Sequence, residues 1–292
     1  MTEQPRALTP GEGRVTGHDG VRLHYRVSGS GPPLIAHPGG PGTSAAYLGD
    51  LAGLDEVATI IWLDPRGTGG STAPDDPAAY KLAHYAADVE ALCDGLGLDR
   101  VALLGFSHGG MVAMRLAIDH PARLTRLILL DTAPALDEAA GVRIAAAMDR
   151  RQGEPWYAEA RRLIDADETA ADDIQATAEM LAIMPMYFHR WDAVGQAFIG
   201  SLAGSIFHSR TGPSWAEEQP AMDLRPELDR IRTPTLVVVG DDDFICDVTA
   251  AHEMADGIPG ADLAVIAEAG HFPWVEQPGA FRRVVDEFLT GR

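Results

Sequence analysis

Apolar positions along the chain alternate between two rhythms. Short apolar runs with strand composition, "PPLIAH", "VATIIWLD", "RVALLGF" and "RLILLDTA", are separated by stretches in which apolar residues recur at helical spacing. The first such pair is "RVTGHDGVRLHYRVSG", where Asp19-Gly20 predicts a hairpin turn between two strands. Helical spacing follows in "TSAAYLGDLAGL", from about Tyr80 to Leu96, and again after Ser107. Strand and helix in strict alternation imply a mainly parallel sheet covered on both faces, the α/β class.

After Pro134 the alternation stops. "AAGVRIAAAMDRR", "WYAEARRLIDA" and "IQATAEMLAIM" are helical, and no convincing strand interrupts them before "TPTLVVVG", "DLAVIA" and the closing helix "PGAFRRVVDEFL". The expected organisation is therefore a core in two parts, residues 1–134 and 231–292, interrupted by a helical cap at 135–230. There is no internal repeat or low-complexity linker.

Composition narrows the function. A chain of 292 residues with formal net charge −20 and a single lysine, Lys81, offers no positive footprint for nucleic acid or an anionic membrane. The opening "MTEQPRALTPGEG" lacks the charged and apolar regions of a secretory signal, and no 18-residue apolar run occurs, so a cytoplasmic protein is expected. Cys93 and Cys246 are far apart and lack metal-site spacing, which predicts reduced thiols. The expected partner is a small molecule or short peptide; a homo-oligomer is left open.

The candidate chemistry begins at "VALLGFSHGGMVAMRLAIDH". Gly105, Ser107 and Gly109 form a G-x-S-x-G at a strand-to-helix junction, where small residues permit a turn that lifts a serine out of the sheet beside a helix amino end. A nucleophilic serine needs a base and an acid to orient it. "TLVVVGDDDFICD" supplies Asp241, Asp242, Asp243 and Asp247 after a strand, and "AVIAEAGHFPWVEQP" supplies His271 in a loop, so the order Ser, Asp, His is satisfied. The amide of His108, next to Ser107, can face a developing oxyanion. The run of aspartates is explained by one acid and turn residues, which predicts no metal and no cofactor.

These motifs resemble those of the α/β-hydrolases, and among them the prolyl aminopeptidase-like serine hydrolases. The resemblance rests on "HPGGPG", "LDPRGTGGS", the serine elbow, "GDDD" and "GHFPWVEQP". It implies an α/β-hydrolase fold with an inserted cap, with Asp243 as the acid, His271 as the base, and an oxyanion hole made by the amides of Gly40 and His108. It also implies an amide hydrolase releasing a small N-terminal residue through an acyl-enzyme. Two departures stand out: Pro38 immediately precedes Gly39, displacing His37, and no glutamate sits just before "PMYFHRWD", where the family's amine-binding motif would be. A carboxylesterase or lactonase is the alternative, followed by a non-catalytic ligand-binding member of the fold.

The cap sequence bears on the ligand. Trp156, Tyr157, Met180, Met184, Met186, Tyr187, Phe188, Trp191, Phe198, Phe207 and Trp215 predict an apolar pocket between cap and sheet. Gly39, Trp215, Glu217 and Glu218 are the candidate substrate-binding residues, the two glutamates as readers of an amine.

Overall fold

The Asp19-Gly20 turn closes a hairpin of β1 (Gly11–Thr16) and β2 (Arg22–Gly29), with the Val21 N–H held by Asp19 Oδ1. The computed structural model describes residues 8–166, 170–202 and 207–291. The later apolar runs form β3 (Pro33–His37), β4 (Thr59–Leu63), β5 (Val101–Phe106), β6 (Leu124–Leu130), β7 (Thr235–Gly240) and β8 (Asp262–Ile266). One sheet contains all eight in the order β1-β2-β4-β3-β5-β6-β7-β8; the β1–β2 and β2–β4 pairs are antiparallel and the others parallel.

Helices α1 (Leu82–Leu96) and α2 (His108–Asp119) precede the cap. Within the cap, α3 (Glu138–Asp149), α4 (Tyr157–Asp165), α5 (Asp173–Ile183), α6 (Ala193–Ser201) and α7 (Gly212–Glu218) lie between β6 and β7. Asp137, Asp172 and Asp192 cap the amino ends of α3, α5 and α6 with their side chains. Among the described residues of this stretch the only β pairing is a single bridge, Ala135 with Asp223. Residues 167–169 and 203–206 of the expected cap lie outside the described residues. The core then finishes with α8 (Val248–Gly257), α9 (Pro273–Glu276) and α10 (Pro278–Thr290).

Strand periodicity divides the core in two. Ile35, Ile61, Leu103, Leu127 and Val237 pack against α1, α2 and α8, whereas their neighbours Leu34, Ile60, Leu104, Ile128 and Leu236 face the other cluster, with Phe281 and Val285 of α10. Both faces are thus covered, which is why β4, β5 and β7 are buried at every position.

One predicted helix is absent. "TSAAYLGDLAGL" forms two short 3₁₀ turns, Ala45–Leu48 and Leu54–Glu56, because Gly49, Leu51, Ala52 and Gly53 all take positive φ (61°, 48°, 56° and 75°). Leu48, Leu51 and Leu54 still reach the core, so the apolar spacing was a burial signal and not a helix signal. "LDPRG" also has a structural role. The fully buried Arg66 donates from Nε and Nη2 to Asp88 at 2.7 Å each and from Nη1 to Asp19 at 2.8 Å, tying the hairpin turn to α1. Among the described residues no helix is long and apolar enough to cross a membrane.

Candidate active site

Ser107 stands between the end of β5 and the first residue of α2 with φ 53° and ψ −121°, a strained backbone that few non-glycine residues adopt. Three hydrogen bonds hold it: its N–H donates to Leu130 O at 2.9 Å, and its carbonyl accepts from Gly110 N at 2.8 Å and Thr132 Oγ1 at 2.6 Å. The flanking glycines are a packing requirement. A Cβ on Gly105 would stand 2.3 Å from Gly109 O, and one on Gly109 would stand 2.4 Å from Pro38 O.

Asp243 and His271 come from the loops after β7 and β8, and His271 Nδ1 lies 2.7 Å from Asp243 Oδ2. The other carboxylate oxygen accepts from the N–H groups of Ile245 at 3.0 Å and Cys246 at 3.2 Å. Burial works against charge on Asp243, but His271 and these two amides outweigh it and hold the carboxyl below its ordinary range. Asp241 and Asp242 are engaged elsewhere, Asp241 with Ala269 N and Asp242 with Arg151, Arg150 and His189. Asp247 caps α8.

Gly40, with φ 107°, lines the space above Ser107, whereas Gly39 passes beneath it: a Cβ on Gly39 would lie 3.0 Å from Ser107 Cβ. The ring of His108 points away from the serine into the core, edge-on to Tyr85 at 5.1 Å and Trp215 at 5.2 Å. Burial brings its pKa down to about 3, and that of His37, which ends β3, to about 4.

A cavity of about 260 Å³ opens over this arrangement, lined by Ser107, His271, Gly40, Pro41, Thr43, Tyr47, Phe106 and Ile245 from the core and by Met180, Tyr187, Phe207, Gly212 and Trp215 from the cap. Among the described residues that line it, none carries a carboxylate. Of the two cap glutamates, Glu218 accepts from Leu82 N at 2.8 Å and thereby caps α1, and Glu217 lies 3.5 Å from Lys81 on the surface. The structure does not bring either of them to the cavity. Met184, Phe188 and Phe198 pack with Phe272, and Trp156 and Tyr157 pack with Phe244 in a separate cluster.

Three further residues bear on the site. Asp131, just after β6, is fully buried with φ 41°, and its Oδ1 accepts from Gly240 N at 2.9 Å. Burial, and next the charge of Asp243, push its carboxyl well above the ordinary range. Tyr187 of the cap accepts the His271 N–H at 2.7 Å through its carbonyl. Glu276 joins the two layers, accepting from Gly270 N at 2.7 Å, His189 N at 2.8 Å and Arg190 N at 3.3 Å. "DTAP" and "VEQP" carry no signal of this: the Asp131 bond joins the ends of two strands far apart in the chain, and the Glu276 bonds to His189 and Arg190 form only once the cap is seated. Asp243, Cys246 and His271 have metal-ligand atoms within 4.8 Å of one another. The first and last already engage each other, and burial, then Asp243, hold the Cys246 thiol protonated.

A family model described as the alpha/beta hydrolase fold matches residues 32–278. RutD of Stutzerimonas stutzeri, named provisionally as a carbamate hydrolase, is 28% identical over 270 residues, covering 92% of this chain and 95% of that protein. The 3-oxoadipate enol-lactonase 2 of Acinetobacter baylyi is 28% identical over 271 residues, with 92% and 93% covered. The crystal structure of the enol-lactonase from Burkholderia xenovorans superposes with TM-score 0.69 at 26% identity, covering 95% of this chain and all of that one.

Proposed function

The chain belongs to the α/β-hydrolase fold family, and from that premise we propose that it is a serine hydrolase of apolar esters or lactones that carry no free amine. Ser107 Oγ attacks the carbonyl carbon and passes its proton to His271 Nε2, the ring nitrogen left free by the Nδ1 bond to Asp243. Asp243 fixes that tautomer and stabilises the imidazolium. The oxyanion is received by the amides of His108, at the amino end of α2, and Gly40. The alcohol leaves with the proton from His271, and water releases the acyl group by the same steps in reverse order.

The observation that carries the substrate class is the lining of the cavity. An N-terminal amine would meet no carboxylate among the described residues lining the cavity, and Glu217 and Glu218 are committed outside it. The aminopeptidase-type amide hydrolase implied by the sequence motifs therefore gives way to the esterase or lactonase alternative. The enol-lactonase names among the relatives point the same way. The test compares p-nitrophenyl butyrate and an apolar lactone with alanyl and prolyl p-nitroanilides, each anilide free and N-acetylated. Ester and lactone should be turned over, and the free and acetylated anilides should differ by less than about threefold. A preference for the free amine of about tenfold or more would restore the aminopeptidase reading.

A further inference from the structure

Away from the catalytic cavity, the β1–β2 turn and the first turn of α1 bring together three side chains of ligand type. His18 Nε2 lies 3.2 Å from His84 Nδ1, and Asp19 Oδ2 lies 3.7 Å from the same nitrogen. All three ligand atoms fall within 4.8 Å of one another. The two rings are tilted by 29°, with centroids 5.1 Å apart.

We propose that His18, Asp19 and His84 form a binding site for a divalent zinc-class cation that pins the hairpin turn to the start of α1. The spacing is the first reason. Ligands bound at about 2.0–2.1 Å around a tetrahedral ion stand roughly 3.3 Å apart; the His18–His84 and His84–Asp19 pairs at 3.2 and 3.7 Å are near that spacing, and the His18–Asp19 pair, within 4.8 Å, closes by side-chain rotation at the surface. Two imidazoles and one carboxylate, with the fourth position left to water, suit a borderline cation and not a hard, oxygen-seeking one such as Mg²⁺ or Ca²⁺.

Charge is the second reason. Arg66 gives Nε and Nη2 to Asp88 and Nη1 to Asp19, so one guanidinium faces two carboxylates and leaves one negative charge unmatched. Asp19 is also oriented from behind by Arg66 and by the Val21 N–H, as ligating carboxylates are in built sites. Its Oδ2 keeps a second lone pair for the ion. Without an ion, one imidazole N–H donates to the other nitrogen; binding requires only that this ring move its proton through solvent to its other nitrogen.

The site lies on the surface, with the His84 side chain 36% and that of Asp19 28% exposed, so an ion can enter without unfolding. It does not touch Ser107, Asp243 or His271, and the hydrolytic steps proceed without it. Its role is mechanical: α1 receives Glu218 of the cap at its first N–H, and an ion at His84 would fix that end of the helix.

The experiment is equilibrium dialysis of untagged, chelator-treated protein against zinc chloride near neutral pH, paired with thermal melting. We expect one Zn²⁺ per chain with a dissociation constant below about 100 μM, weakened about tenfold or more in His18→Ala and in His84→Ala, and no saturable uptake of Mg²⁺. Saturating Zn²⁺ should raise the wild-type melting midpoint by several degrees and leave that of His84→Ala unmoved. Both histidines are on the surface, so the metal-free variants should melt like the metal-free wild type; a His84→Gln variant replaces Ala if they do not. Absence of saturable binding below that concentration, or binding that survives the His18→Ala/His84→Ala double variant, would overturn the assignment.

Discussion

The buried carboxyl of Asp131 stands just after β6, beside β7, and after burial it is the charge of Asp243 that pushes it well above its ordinary range. Two buried carboxylates that repel one another do not both ionise readily, and their surroundings decide which one holds the proton. Asp243 has His271 and two amides; Asp131 has the Gly240 N–H on Oδ1, and its Oδ2 has no hydrogen-bond partner among the described residues. Asp131 is therefore the neutral partner beside the acid that orients His271. Asn at this position offers the same donor and acceptor without charge and tolerates the φ of 41°. Asp131→Asn should keep kcat/KM within about threefold of wild type, whereas Asp131→Ala, which removes the acceptor of the Gly240 N–H and leaves a cavity beside Asp243, should lose about tenfold or more. Steady-state kinetics on p-nitrophenyl butyrate separates them, and a large loss in the Asn variant would mean that Asp131 acts as an anion.

The triad assignment makes a sharper demand. Ser107→Ala should fold, retain the elbow, escape labelling by an organophosphonate and lose roughly three or more orders of magnitude in rate. Asp243→Asn should lose about 10³ to 10⁴ because the amide supports the wrong imidazole tautomer. Asp241→Asn should stay near wild type, and Asp242→Asn should lower thermal stability through Arg151 more than it lowers kcat. If Asp242→Asn abolishes turnover in protein that melts normally, the acid is misplaced.

The chain reveals its parts unevenly. The strand runs and the elbow were legible because each obeys a local rule: apolar composition for a buried strand, glycine where backbone crosses backbone, and a serine at a strand-to-helix junction. Asp243 and His271 could be chosen because each follows a strand at the edge where Ser107 emerges. Tyr187 was legible as cavity lining but not as the carbonyl that holds the His271 N–H, and Asp131 and Glu276 were not legible at all, since what defines them is a partner far along the chain, the Gly240 N–H for one and the cap amide of His189 for the other. Glu217 and Glu218 misled for the same reason. Only the docking of α7 on the turn Pro77–Tyr80 that leads into α1 shows that Glu218 faces the Leu82 N–H and not a substrate.

Stability should also depend on pH with a sign fixed by two buried histidines. His37 and His108 are neutral in the folded chain down to about pH 4 and about pH 3, against an ordinary value of 6.5. Below pH 6.5 the unfolded chain takes up protons there and the folded chain does not, so the stabilisation present above 6.5 is lost as the pH falls toward 4. Each group contributes a slope of about 1.4 kcal/mol per pH unit across that window. Asp131 works in the opposite direction, since it keeps a proton that the unfolded chain releases above its ordinary 3.8. Comparison with His108→Gln cancels that contribution. Urea midpoints at pH 7 and pH 5 should fall less in the variant than in wild type, and equal falls would show that His108 is not held neutral.

The cap is expected to control the base through one glycine. Gly270 precedes His271, and a Cβ on it would lie 2.4 Å from Tyr187 O and 2.8 Å from His189 N, both backbone atoms that cannot rotate aside. Those same cap residues give the Tyr187 carbonyl to the His271 N–H and take Glu276 at the His189 N–H, so relief of the clash must lift the cap from the histidine loop. Gly270→Ala should therefore lower kcat by about tenfold or more, because misplacing a catalytic group by about an ångström costs that much or more, and should also lower the melting midpoint. Glu276→Gln provides the control. It leaves the space around Gly270 unchanged and weakens only the bonds that join the two layers, so it should cost stability while retaining most of kcat. If Gly270→Ala instead turns over at the wild-type rate, the cap carbonyl does not position His271, and the cap serves only to enclose the substrate.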